Sequence, residues 1–237
     1  MMQVALSPCY ILYQRPFRER SLLIDVLSQE YGRCRLIAKS RHKPSSTIGL
    51  LQIYQPLLLS WLGRTDLFKM TAIEASGPAH FLQGQATLCG LYINELLIKL
   101  LPQFVSEPTI FDCYQQTLEA LASDKNNEIT LRLFEKRLLT ALGYGLALDY
   151  ECSAGLPIEA DKNYYYVAES GLYLWEIGCP HPAISGRSIQ HLADERGFDE
   201  TSLLEIKRLM RAMIQFYLAG KVLHSRALFS QLNQIKR

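Results

Sequence analysis

The chain has 237 residues, about half of them apolar and a fifth charged, which is long enough for a substantial core and too apolar for a disordered protein. No run of about 18 uncharged apolar residues occurs, so a helical membrane span is not expected. The net charge of +2 is unevenly spread: residues 1–75 hold ten Lys or Arg against five Asp or Glu, and the remainder fifteen against eighteen.

The start, MMQVALSPCYILYQRPF, has no basic n-region and meets Arg15 and Arg18 early, so it does not read as a signal peptide. A reducing, cytoplasmic location is expected. There Cys9, Cys34, Cys89, Cys113, Cys152 and Cys179 would be mostly buried thiols.

Five strands are expected in the first ~75 residues: VALSPCYILYQR, SLLIDVLS, RCRLIAKS after the Tyr31-Gly32 turn, IGLLQIYQPLLLSWL, and DLFKMTAIEAS past Gly63-Arg64. In the third, Arg33, Arg35 and Lys39 fall on odd positions and Cys34, Leu36 and Ala38 on even ones. Because a strand alternates faces, one side projects cations and the other packs. Arg41, His42 and Lys43 continue the positive charge into the next loop. Arg15, Arg18 and Arg20 form a second cluster, and Arg64 and Lys69 a third. Five short strands in so little chain predict a small closed antiparallel barrel.

From Gly77-Pro78 the period becomes helical. ATLCGLYINELLIKLLPQF is apolar nearly all round, with Leu88, Leu91 and Tyr92 on one side and Ile93, Leu97 and Leu100 on another, so it belongs in the middle of a bundle. A helix follows with Ser106 as N-cap and Pro108 in its first turn. NNEITLRLFEKRLLTALGYG places Leu131, Phe134, Leu138 and Leu142 on one face and Gly143 at its stop. DETSLLEIKRLMRAMIQFYLAG buries Ile206, Leu209, Met210 and Met213 and stops at Gly220. The fold class is α+β: an N-terminal barrel over residues 1–78, then an α-helical domain over 79–237 with a small irregular insert at about 149–187.

No catalytic constellation is visible: there is no phosphate loop, no H-E-x-x-H, no G-x-S-x-G, and His80, His181, His191 and His224 lack partners at useful spacing. In the insert, Cys152 and Cys179 flank the hairpin-like NYYYVAESGLYLW. Gly155 stands where a paired cysteine should be, and Cys179 with His181 makes a poor second pair, so no metal is expected. The basic strand and loop are therefore the main functional signal. Their plain reading is a solvated barrel face. Their sharper reading is a phosphate-tracking groove, with Tyr13, Phe17, Tyr31 or Tyr54 available to stack bases.

Four stretches, RPFRERSLLIDVLSQEYGRCRLIAKSRHKPSSTIGLLQIYQPLLLSW, GLYINELLIKLLP, LRLFEKRLLTALGYGL and GKVLHSRALF, resemble in order the bacterial RecO family of recombination mediators, chiefly its proteobacterial branch. The resemblance implies an oligonucleotide/oligosaccharide-binding (OB) barrel followed by helices. It implies binding to single- and double-stranded DNA, strand annealing, and cooperation with RecR in loading RecA onto strands coated by single-strand-binding protein (SSB), and it leaves open whether RecF takes part. It assigns Arg33, Arg35, Lys39, Arg41 and Lys43 to DNA contact, beside Arg15 and Arg18. It also implies binding to the acidic C-terminal tail of SSB, which needs an apolar pocket with a cation at its mouth. Arg132 matches a basic position of the family, and the expectation is that it clamps the tail carboxylate with Leu131 and Leu139 nearby; its plain reading is a surface cation at the start of a helix. Many relatives hold zinc through four cysteines in the insert; this chain departs from that pattern, and no cofactor is carried over. The competing readings are a barrel adaptor for RNA or protein partners and, more remotely, a nuclease, for which Glu19, Asp25, Glu30, Asp66 and Glu74 offer no visible pairing. A helical basic face of Lys207, Arg208 and Arg211 is a second candidate for DNA.

Overall fold

The structure is a computed structural model that describes residues 2–39, 49–63, 67–123 and 126–235. Packing divides the chain into two compact units, Met1–Lys125 with Leu223–Arg237, and Asn126–Val222.

In the first unit β1 (Met2–Phe17), β2 (Ser21–Ser28), β3 (Gly32–Lys39), β4 (Leu57–Gly63) and β5 (Phe68–Ala75) close a barrel of order β1-β2-β3-β5-β4. The fourth strand is shorter than its sequence pattern: residues 51–56 are irregular, and only Ile53 bridges, to Ile11. Closure is completed by a short parallel contact, Leu36 beside Phe68 and Ile37 beside Lys69. Cys9, Ile11, Ile24, Val26, Leu36 and Trp61 fill the interior. Cys9, Cys34, Cys89 and Cys113 are buried thiols, Cys152 is exposed and Cys179 half-buried, and none is in a disulfide. Burial pushes the Cys34 thiol up to about 12, so it stays protonated and unreactive at neutral pH.

Leu12 is the extra residue of a β-bulge, since the β1–β2 register shifts between Ile11 and Tyr13. Its carbonyl accepts from Asn94 Nδ2 at 2.9 Å, and Asn94 Oδ1 accepts from Tyr114 Oη–H at 2.7 Å. Asn94 lies on α1 (Gln85–Leu100) and Tyr114 on α2 (Pro108–Ala122). One buried amide thus satisfies the bulge and joins both helices to β1. Tyr10, on the outer face, packs against Phe111 and Tyr114 with ring centroids 5.4 and 5.2 Å away. The all-round apolar character of α1 follows from its neighbours β1, α2 and α6 (His224–Ile235). Glu107, not Ser106, caps α2, and without a side-chain bond; Ser106 Oγ instead donates to Gln29 O at 3.4 Å.

Gly32 lies where the chain after α1 crosses the β2–β3 turn. A Cβ there would stand 1.9 Å from Val105 O, and φ is +64°. Gly32→Ala should therefore cost more than ~2 kcal/mol, combining left-handed strain with a backbone clash, read as a lowered urea midpoint at unchanged m.

Helix α6 was not foreseen as an element, and it docks on α1 through a charged cap. Glu95 accepts from His224 N–H and Ser225 N–H, each at 2.9 Å, and from Ser225 Oγ–H at 2.6 Å. Burial pushes this carboxyl up, but the bonds from Ser225 and His224, with Lys99 beside it, outweigh that and hold it below the usual range. A depressed folded-state pKa contributes stability that is present above the unfolded value of ~4.3 and is lost as pH falls through the folded value. Acidification below pH ~4 should release α6, seen as faster amide exchange over residues 224–229. Glu95→Gln should abolish that pH step.

The second unit holds α3 (Asn127–Ala141), β6 (Asn163–Val167), β7 (Gly171–Leu174), β8 (Ile184–Ser185), α4 (Gly186–Asp194) and α5 (Glu200–Tyr217). Asn126 caps α3 by accepting from Glu128 N–H and Ile129 N–H, and Gly143 follows its end at φ +82°. Asp199 and Ser202 form a capping box on α5. The insert is a three-stranded sheet of order β7-β6-β8 running into α4, more regular than its sequence suggested. No helix among the described residues is long and apolar enough to cross a membrane.

Candidate nucleic-acid interface

Strand β3 alternates as its sequence predicts: Cys34, Leu36 and Ala38 are buried, and Arg33, Arg35, Ile37 and Lys39 face outward. Cross-strand partners share a face, so the register assigns the neighbours of each cation. Tyr13, Asp25 and Arg35 form one rung, Arg15, Leu23, Ile37 and Lys69 the next, and Phe17, Ser21 and Lys39 the last. Arg15, Lys39, Lys69 and Tyr13 are exposed, and Arg35 is partly so. The three cationic clusters of the sequence thereby contribute to one outer face. In the β1–β2 turn, exposed Arg18 sits over the Phe17 ring, 5.2 Å from its centroid.

Cover increases along β3 toward its start. Arg33 keeps only 11% of its side chain exposed: Nε donates to Leu101 O at 3.0 Å, and Nη1 reaches Asp25 Oδ1 at 3.3 Å. Burial lowers its pKa against the opposing pull of Asp25. Arg33 was expected as a DNA contact; its guanidinium is instead committed to the end of α1, where Phe104 N–H also donates to Arg33 O at 3.1 Å. Arg35 is 37% exposed and shares the same carboxylate, with Nε and Nη2 at 3.2 and 3.1 Å from Asp25 Oδ1. One acid thus holds two guanidiniums, leaving a net single positive charge and a fixed orientation for Arg35. In the sequence Asp25 stands only among the carboxylates that offer no visible pairing for a nuclease. The signal for its role was a lone carboxylate inside the apolar strand SLLIDVLS, which demands a buried cation.

Of the suggested stacking residues, Tyr54 is buried and Tyr31 packs edge-on against Trp61 at 5.4 Å, which leaves Tyr13 and Phe17. Arg41, Lys43 and Arg64 lie outside the described residues.

Arg132, expected at the mouth of an apolar pocket, is buried on α3. Its side chain is 4% exposed, with Nη1 2.8 Å from Oε2 of the fully buried Glu135 and Nε 3.4 Å from Glu128 Oε1. Leu131 and Leu139 are buried with it. Glu128 also pairs with Lys207 at 2.7 Å, which takes Lys207 out of the helical basic face and leaves Arg208 and Arg211 exposed there.

In the insert, Cys152 Sγ–H donates to Ser170 O at 3.0 Å, and among the described residues no three His, Cys, Asp or Glu side chains converge as metal ligands. Among the described residues this donor set does not fit the four-cysteine zinc site that the resemblance implied for many members.

The barrel order and its aligned cations, followed by helices, define an OB-type barrel protein with a helical C-terminal region. The N-terminal model of recombination protein O matches residues 2–79 and its C-terminal model residues 82–227. The DNA repair protein RecO of Nitrosococcus oceani is 41% identical over 236 residues, covering 99% of this chain and 96% of the relative. That of Coxiella burnetii is 42% identical over 227 residues, with 95% and 98% covered, and that of Methylococcus capsulatus 39% over 228, with 96% and 93% covered. The chain belongs to the RecO family.

Proposed function

We propose that this chain is a recombination mediator in DNA repair, acting in the cytoplasm on the chromosome. Residues 1–78 are its DNA-binding domain, and residues 79–237, which the two compact units share, are its helical part. Arg15, Arg18, Arg35 and Lys39, with Arg41 and Lys43 further along the sequence, track the phosphates of single- or double-stranded DNA without reading sequence. Arg33 serves this surface indirectly, by holding Asp25 and the barrel to the end of α1. The observation that carries the reading is the strand register, which sets Arg15, Arg35, Lys39 and Lys69 on one outer face with exposed Tyr13.

No chemical step is needed. The barrel holds one strand, the SSB coat is disturbed, and a complementary strand anneals or RecA is loaded with the help of RecR and, where present, RecF. Contact with the acidic SSB tail runs through Arg132 beside Leu131 and Leu139, and it requires the tail carboxylate to replace Glu135 as partner of Arg132. The purified protein should anneal complementary strands coated with SSB, and SSB lacking its tail should reduce that activity. Failure to anneal coated strands, together with stronger binding to RNA than to DNA of equal length, would favour an RNA adaptor instead.

A further inference from the structure

The tyrosine-rich insert has no role in the DNA reading, yet it carries a groove of its own. In the sheet order β7-β6-β8, β7 is an edge strand. The pairs Tyr165–Tyr173 and Val167–Gly171, with Trp175 N–H donating to Asn163 O at 2.8 Å, turn the main-chain groups of Gly171, Tyr173 and Trp175 toward β6. Those of Leu172 and Leu174 therefore point the other way. Leu172 O is taken by Cys152 N–H at 2.6 Å. Two residues on, Leu174 borders a groove of about 320 Å³ lined on its other side by the chain from Glu151 to Pro157.

The groove is apolar with acidic edges. Leu156 and Leu174 line it and are exposed. Exposed Glu176 and Glu159 face it, with Lys162 the one cation of its lining and 2.7 Å from Glu159, while Glu151 is buried and its carboxylate accepts from Ser153 N–H and Ala154 N–H. Such a rim repels phosphates and acidic tails and favours ammonium or guanidinium groups.

We propose that this groove docks an extended segment of a partner protein in which basic and apolar residues alternate, added as a strand beside Leu174. Its main chain pairs with the outward groups of Leu174, its apolar side chains cover Leu156 and Leu174, and its basic side chains meet Glu176 and Glu159. This inference does not depend on the DNA reading of the barrel.

The test uses the full chain and two end-blocked, fluorescein-labelled hexapeptides, Lys-Val-Lys-Leu-Lys-Gly and Glu-Val-Glu-Leu-Glu-Gly, followed by anisotropy. The lysine peptide should bind at least ~10-fold more tightly than the glutamate peptide, and Glu176→Lys or Leu156→Asp should each remove most of that preference. Both substitutions fall on exposed side chains, so folding is not at stake. Saturation with the lysine peptide should slow amide exchange at Leu174 by at least ~10-fold. Equal binding of the two peptides, full binding by Glu176→Lys, or unchanged exchange at Leu174 overturns the proposal.

Discussion

Replacing Arg15, Arg35 and Lys39 together by alanine is expected to weaken single-strand binding and to reduce the slope of log affinity against log salt by about 2, because each phosphate neutralised on a single strand contributes ~0.7. Anisotropy titrations between ~50 and ~200 mM salt measure it. The three side chains occupy successive rungs of one sheet face, so a strand laid across that face meets all of them. Two single variants separate charge from structure. Arg33→Ala should lower stability by ~1.5–3 kcal/mol, since it removes charged hydrogen bonds at Leu101 and Asp25, and should reduce the slope by less than ~1, because Asp25 then pairs with Arg35 alone. Asp25→Asn should raise affinity and steepen the slope by less than ~1, because Arg35 no longer shares its charge with a carboxylate. An unaltered slope in the triple variant means that the strand lies elsewhere, with the exposed Arg208 and Arg211 as the next candidates.

Arg132→Ala is expected to destabilise the second unit by ~3–5 kcal/mol, because it removes the guanidinium beside the fully buried Glu135. Thermal or urea melts followed by circular dichroism measure it. Replacing both partners, Arg132→Met with Glu135→Leu, should be neutral or stabilising by up to ~4 kcal/mol, since the desolvation cost of both charges disappears. This double variant also decides the tail assignment. It is folded but lacks the guanidinium, so lost affinity for a labelled SSB tail peptide supports Arg132 as the clamp, and retained affinity removes it. The Arg132→Ala variant alone cannot make that distinction, because an unfolded unit binds no tail either.

The parts legible in the sequence are those governed by local periodicity. The odd–even split of GRCRLIAK specifies which side of β3 is charged and which is packed, whatever the strand pairs with. The apolar faces of α3 and α5 and the glycines after them are legible for the same reason. Element α6 was not: HSRALFSQLNQI has no strong helical signature beyond its apolar residues, and it is held by Glu95, 129 residues earlier in sequence than His224. The insert hid its regularity because a three-stranded sheet needs β8, only two residues long, to complete it.

The site divides along the same line. Alternation alone assigned Arg33, Arg35 and Lys39 equally to the outer face, yet their exposures differ, because the chain after α1 lies over one end of β3 and not the other. Arg132 looked like an ordinary helix cation for a related reason: burial depends on what packs against a helix, and nothing in LRLFEK reports that Glu135 is sealed from water beside it. Composition, period and charge placement by themselves determined a basic β-barrel followed by helices. Which cations remain available to a ligand and which are consumed as internal counter-ions was decided by tertiary packing, because the partners that neutralise or cover them, Asp25, Leu101 and Glu135, act through distance in space rather than through the repeat of a strand or helix.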